Sequence, residues 1–206
     1  MSIEIRRIDG TVAYESQSAT SLREAVAEAV GKGVYLARAD FYGADFSRAN
    51  LSRANFSQAN FYKANLSRAN FSRANFYKAD FCEADFSRAN FSRANFSGAD
   101  FYKAEFSGAD FYGANFYGAK GILHVGPVDG WDMYAVRWDD GPRIKAGCRW
   151  FTVSEARKWW GKGGAPGNKP EHGPLMLAGL DALLAMAKAH GWEMPCGWEM
   201  AAGEGS

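Results

Sequence analysis

FYGADFSRANLSRANFSQAN, residues 41–60, decides the fold. Read in fives, it places Phe or Leu at 41, 46, 51 and 56, with Ala two residues before the last three of these and at Ala39 before the first. The pattern runs from Val34 to Lys120 and supplies seventeen large apolar positions, Leu36 to Phe116, fourteen Phe and three Leu. Only Leu36 lacks the preceding Ala, having Val34 instead. An α-helix has no use for this period, because five residues overshoot a full turn by about 140° and the Phe would spiral over every face. A straight strand fails too: Ala44 and Phe46 share a side, but Ala49, three residues further on, would face the other way. A chain that bends once per repeat resolves the conflict. Ala and the large residue then point inward, three positions point outward, and the segment is a coil of very short strands.

The polar positions give the number of sides. With residues 41–60, 61–80, 81–100 and 101–120 written beneath one another, Tyr42, Tyr62, Cys82 and Tyr102 share a column. Ser47, Ser67, Ser87 and Ser107 share another, as do Asn55, Asn75, Asn95 and Asn115. Offsets of fifteen or twenty-five residues break these columns, so four repeats make one turn of a four-sided spiral. Ala-Asn/Asp-Phe/Leu-x-x in tandem resembles the pentapeptide-repeat family over residues 34–120. The resemblance implies a right-handed quadrilateral β-helix, and the handedness comes from it alone. Just over four coils at the usual ~4.8 Å strand spacing make a rod of roughly 20 Å.

Composition leaves few function classes open. Net charge is +1 over 206 residues, which gives no steer towards nucleic acid or membrane. There is no apolar run long enough to span a bilayer, and Met1-Ser-Ile-Glu-Ile-Arg-Arg7 lacks a signal-peptide core, so the expectation is a soluble cytoplasmic protein. Cys82, Cys148 and Cys196 show no metal-ligand spacing and their odd number argues against a disulfide framework.

The flanks read as attachments. Residues 1–33 contain a β-hairpin around Asp9-Gly10 and a helix opened by the capping box Ser21-Leu-Arg-Glu24 and closed at Gly31. This hairpin and helix are expected to cap the first open end of the spiral, whose unpaired strand edge invites aggregation. Residues 121–206 hold all seven Trp and form an α+β module. Strands are expected at Ile122–Val125, Trp131–Trp138 and Arg143–Gly147, with Tyr134, Val136 and Trp138 on one side and a turn at Asp139-Asp140-Gly141-Pro142. A helix follows the capping box Thr152-Val-Ser-Glu155, then a Gly/Pro-rich loop over 161–174, then a helix from Leu175 to His190 stopped by Gly191. Its apolar face is Leu177, Leu180, Leu184 and Ala187, and Gly-Trp-Glu-Met occurs at 191–194 and again at 197–200. The module resembles C-terminal modules of phage and prophage pentapeptide-repeat proteins.

A close-packed Phe/Ala interior leaves no room for a substrate. Enzyme chemistry would fall to the C-terminal module, where Cys148 and His172 are the candidate nucleophile and base, with no recognisable local motif. His124 and His190 fit no zinc spacing, and Gly161-Lys-Gly-Gly lacks the P-loop pattern. The expectation is therefore a protein without catalytic residues, metal or cofactor. Two exposed sets remain. The acidic set is Asp40, Asp45, Asp80, Asp85, Asp100, Glu105 and Asp110; the basic set is Arg48, Arg68 and Arg88 on one corner and Arg53, Arg73 and Arg93 on the next. The family resemblance implies a DNA-mimicking inhibitor of a nucleic-acid-handling machine, gyrase or a bacterial defence nuclease, that docks through the acidic set. Against it, residues 34–120 hold eleven basic and eight acidic residues, net +3. Direct nucleic-acid contact through the Arg ladders and a spacer presenting the C-terminal module are the alternatives. A homodimer through Trp192, Trp198 and the apolar helix face is open as well.

Overall fold

A computed structural model of the chain describes residues 2–128, 131–138, 141–146, 149–161 and 173–192. The chain divides into two compact units, Met1–Gly121 and Ile122–Ser206. In the first, parallel bridges join residues twenty apart, as in the series Asp40, Asn60, Asp80, Asp100 and Lys120, so each coil has four five-residue sides.

One repeat shows why the chain bends. The five N–H groups of residues 61–65 all have acceptors. Phe61 N–H donates to Asp80 O at 2.7 Å, Lys63 N–H to Cys82 O at 3.0 Å and Asn65 N–H to Ala44 O at 2.9 Å, tying three coils together. Ala64 N–H turns back to Phe61 O at 2.9 Å and closes a four-residue corner. Tyr62 N–H donates to Asn60 Oδ1 at 2.9 Å. Every main-chain donor is satisfied, which a buried backbone requires. The third corner residue has positive φ throughout, from Arg38 at 61° to Lys103 at 59° among the non-glycines, and Gly43 at 63°. Positive φ there defines a type II turn.

Inside, Phe rings stack along the axis. Phe56 and Phe76 lie 5.5 Å apart, and Phe76 and Phe96 5.2 Å, with interplanar angles of 13° and 6°. Across a corner the contacts are edge-to-face, as between Phe76 and Phe81 at 5.1 Å and 72°. Every large residue from Leu36 to Phe106 is 0–1% exposed, and the Ala positions between them fill the remaining gaps. After Lys120 the chain turns at Gly121, φ 69°, where a Cβ would sit 2.6 Å from Tyr102 N; only glycine fits.

Strands β1 (Ile3–Arg6) and β2 (Val12–Ser16) pair antiparallel, and α1 (Leu22–Gly31) follows. Ser21 is its N-cap, accepting from Glu24 N–H, while Glu24 reaches past it to Thr20 N–H at 2.8 Å. The helix ends at Gly31, as the sequence reading has it, with Lys32 as its C-cap. Beyond the cap, Gly33, φ 71°, is the left-handed residue, with Gly33 N–H on Val30 O and Val34 N–H on Ala29 O satisfying the last carbonyls. The hairpin bonds to the first coil through Ile8 N–H to Arg38 O and Asp40 N–H to Arg6 O, both 2.8 Å. Glu28 ties hairpin to helix, accepting from Tyr14 Oη (2.8 Å), Ser16 Oγ, Ser18 Oγ (3.1 Å) and Lys32 Nζ (2.6 Å).

In the second unit, β3 (Ile122–Val128), β4 (Trp131–Val136), β5 (Arg143–Ala146) and β6 (Arg149–Thr152) form an antiparallel sheet in that order. β6 is an addition to the sequence reading, which passed from the third strand directly to the helix. Leu123, Met133, Ala135, Ile144 and Ala146 pack with α2 (Val153–Gly161) and α3 (Gly173–Ala189), which contribute Val153, Ala156, Trp160, Met176, Leu180, Leu183, Leu184 and Ala187. Tyr134 and Val136 alternate to the other face, where Lys145 Nζ lies 5.4 Å from the Tyr134 ring centre. The capping box of α2 is reciprocal: Thr152 N–H donates to Glu155 Oε2 at 2.7 Å and Glu155 N–H to Thr152 Oγ1 at 3.2 Å. Gly191, φ 67°, closes α3, with Trp192 N–H on Ala187 O. Leu177 is only partly buried, and Met176 and Leu183 take its place in the core.

The hydrogen bond from Lys32, with those from Ser16 and Tyr14, holds the Glu28 carboxyl down at about 2. A carboxyl with a lower folded than unfolded pKa stabilises above the unfolded value, ~4.3, and that contribution fades as pH falls towards 2. In thermal melts Glu28→Gln is expected to lower the midpoint at pH 7, with the gap to the parent closing by pH 2; a gap independent of pH would remove Glu28 from this role.

Candidate functional site

Each side of the spiral carries one outward ladder at its midline, formed by the residue before each large apolar position. The four ladders are Asp40–Asn60–Asp80–Asp100–Lys120, Asp45–Asn65–Asp85–Glu105, Asn50–Asn70–Asn90–Asp110 and Asn55–Asn75–Asn95–Asn115. Six of the seven acidic candidates therefore lie on two adjacent sides, and Asp110 does not join them.

These acidic residues share a local duty with the asparagines. Oδ1 accepts the N–H two residues on: Asp40 from Tyr42 at 3.2 Å, Asp45 from Ser47 at 2.8 Å, and Asp80 from Cys82 at 2.9 Å. Asp85, Asp100 and Asp110 do the same with Ser87 (2.8 Å), Tyr102 (3.1 Å) and Tyr112 (2.9 Å). The Asn equivalents do so too, for example Asn75 with Tyr77 at 3.2 Å. Any side chain with an oxygen at that distance serves, which is why Asn and Asp interchange along a ladder. The bonds from Ser47 hold the Asp45 carboxyl below its ordinary value. On the other sides amides bridge coils, with Asn95 Nδ2 donating to Asn75 Oδ1 at 3.0 Å. Interchange at one column was the sequence signal for this duty, overlooked because the column was read only for charge.

The basic candidates occupy the corners. Arg48, Arg68 and Arg88 line one edge of the Asn50–Asn70–Asn90 side; Arg53, Arg73 and Arg93 line the other. All six are exposed, and their φ angles run from 58° to 62°. Among the described residues none of the six forms an ion pair; Asp45 and Asp85 do not pair with Arg48 and Arg88, as they would if they compensated them. Both rails end where glycine replaces arginine in the fourth coil, and the stems of Arg88 and Arg93 lie over Gly108 and Gly113. An open groove of about 850 Å³ follows the Arg53 rail of this side, lined by Arg53, Arg73 and Arg93 with Ser52, Ser72, Ser92 and Asn90, and with Asp110 and Tyr112 at its end. Tyr112 is 69% exposed.

The corner between the two acidic sides is internally neutralised. Lys63 Nζ lies 3.5 Å from Glu83, Tyr62 Oη donates to Glu83 Oε1 at 3.0 Å, and the Tyr42 and Tyr62 rings stack at 5.5 Å. Cys82, in that tyrosine column, has its thiol pushed up by burial and by Asp80 and Asp100. Cys148 and His172, most of the 161–174 loop, the Asp139-Asp140 pair, Cys196, Trp198 and the second Gly-Trp-Glu-Met lie outside the described residues. His190 is exposed just after α3. Among the described residues no group of His, Cys, Asp and Glu is placed to hold a metal ion, and no helix is long and apolar enough to cross a membrane.

Residues 27–53, 49–88 and 89–120 match the family model for pentapeptide repeats (8 copies). The array belongs to the pentapeptide-repeat family, whose fold is a right-handed quadrilateral β-helix. Among solved structures, the chain is similar to HetL, a pentapeptide repeat protein involved in heterocyst differentiation regulation from the cyanobacterium Nostoc sp. strain PCC 7120. Identity is 33%, over 40% of this chain and 38% of HetL, with a TM-score of 0.39. A pentapeptide repeat protein of the Arabidopsis thaliana thylakoid lumen shares 34% identity over 41% of this chain and 63% of its own, TM-score 0.24. QnrB1, a plasmid-mediated fluoroquinolone resistance protein, shares 26% over 39% of this chain and 52% of its own, TM-score 0.22. The chain thus spans less than two thirds of each of these structures. No curated protein matches it.

If the carboxylates at the midlines serve the turn, Asp85→Asn is expected to leave stability within about 0.5 kcal/mol of the parent, while Asp85→Ala costs about 1 kcal/mol by orphaning Ser87 N–H. Urea denaturation of both variants checks this, and equal effects would contradict it.

Proposed function

We propose that the protein is a non-catalytic interaction module that engages a nucleic-acid-handling complex through the arginine-railed side of its solenoid. The observation that carries this reading is the division of charge around the rod: acids on two adjacent sides, and six exposed arginines bordering a side whose midline is uncharged until Asp110. A packed interior gives a substrate nowhere to bind, so the outside is where this array acts. The acidic sides support docking less well. Asn60 and Asn65 interrupt both ladders, and one oxygen of most carboxylates is committed to a turn. DNA mimicry of the kind the family resemblance implies needs a continuous acidic face, and the arginines offer the more continuous charge.

Sequence pI is about 7.7. At pH 8 the net charge is therefore close to zero, and the protein is nevertheless expected to be retained on phosphocellulose at low salt, because each rail presents a concentrated local charge. Replacing Arg48, Arg68, Arg88, Arg53, Arg73 and Arg93 by Gln is expected to abolish that retention while leaving the fold intact, since Gln58 already occupies the same corner position at φ 59°. Retention unchanged in the variant would contradict the reading.

A further inference from the structure

We infer that the arginine-railed side is a track for one strand of nucleic acid, lying along the rod axis with its phosphates between the rails and a base stacked on Tyr112. This deepens the proposed function and rests on its assignment of the arginine side as the contact surface.

Three observations carry it. The first is charge density. Two rails with rungs ~4.8 Å apart present one positive charge per roughly 2.4 Å of axis. A single strand carries one phosphate per about 3.4 Å, so each phosphate passing along the track has cations on both sides. A duplex carries one charge per about 1.7 Å, spread around a far wider cylinder, so that a single flat side meets only part of it. Three rungs and the reach of the side chains cover about four phosphates of a strand.

The second is the surface between the rails. The Asn50–Asn70–Asn90 midline and the Ser52, Ser72 and Ser92 hydroxyls are polar and uncharged. These side chains offer an acidic protein partner no aromatic or aliphatic contact of the kind that anchors protein interfaces. A strand recognised by its backbone needs none.

The third is Tyr112. It stands in the column of Ser52, Ser72 and Ser92, is 69% exposed, and lines the groove beyond the last arginine of its rail. A cationic groove that follows the backbone and an exposed aromatic for base stacking are the two parts that sequence-tolerant single-strand binding requires. Asp110, beside Tyr112, repels phosphate and ends the track there.

The test is fluorescence anisotropy of the full chain with labelled oligo(dT), with a duplex of the same length and with polyglutamate, across a salt series. Oligo(dT) is expected to bind most tightly, with log K falling against log salt at a slope of about −3 for some four phosphates. Arg48, Arg68 and Arg88→Gln should about halve that slope. Tyr112→Ser, which only restores the residue found in the coils before, should weaken binding about tenfold and leave the slope unchanged. Tighter binding of the duplex, or Tyr112→Ser without effect, overturns the single-strand assignment. Polyglutamate bound more tightly than oligo(dT), with arginine dependence, also overturns it while upholding the arginine side as a contact surface. Binding of none of the three at low salt overturns both.

Discussion

The axial stack of benzyl groups is the contact on which everything else in the repeat unit depends. A Phe such as Phe76 meets the ring above and the ring below near 5 Å, and meets its neighbours around the coil edge-on. Stacking and edge-to-face contact are the two favoured arrangements of aromatic pairs, and a four-sided spiral with one ring per side provides both at once. Ala, two residues earlier, is small enough to let the chain turn without leaving a void. The interior is thereby filled, and the three remaining positions of each repeat are free to vary so long as they serve the corner.

Serving the corner restricts those positions more than their exposure suggests. The midline residue supplies an oxygen for the one N–H that no main-chain carbonyl reaches, so it is Asn or Asp in nearly every copy. The third corner residue adopts positive φ, which costs a non-glycine on the order of 1 kcal/mol. Twelve non-glycine residues bear it, from Arg38 to Lys103, held there by bonds to the next coil such as Arg68 N–H to Ser87 O at 2.8 Å. The arginines are thus fixed at the base by the backbone and free at the tip. Regular rails follow from the geometry of the turn, and no ion pair among the described residues is needed to align them.

Much of this was legible because the period is so strict. Five-residue spacing excluded helix and straight strand, and the alignment of Tyr42, Tyr62, Cys82 and Tyr102 gave the twenty-residue coil that the Asp40–Asn60 bridge shows. Both capping boxes were legible as well, because Ser21 with Glu24 and Thr152 with Glu155 are local chemistry. Other features needed the third dimension. Exchange of Gly with Arg or Lys in one column, as at Gly43 and Lys63, was the available sign of positive φ, but a charged side chain drew the reading to its tip. Gly31 was legible as the helix end, but that Gly33 supplies the left-handed turn beyond it is decided by backbone geometry. β6 was missed because Arg149-Trp-Phe-Thr152 is too short for alternation to show and its end doubles as a helix cap. At the candidate site, the rails were legible as columns. The commitment of the carboxylates to turns, and the position of Tyr112 beside the Arg53 rail, were not.

If inward delivery of one ring per side sets the fold, the phase of the repeat matters more than the amount of chain. Urea denaturation of two deletion variants tests that most directly. Removing residues 61–80 takes out one whole coil and restores every column, so cooperative unfolding is predicted to survive with a smaller m-value, reflecting the smaller surface exposed. Removing only residues 61–63 throws the following rings out of phase and is predicted to be far more damaging. A three-residue deletion as stable as the twenty-residue one would contradict the account.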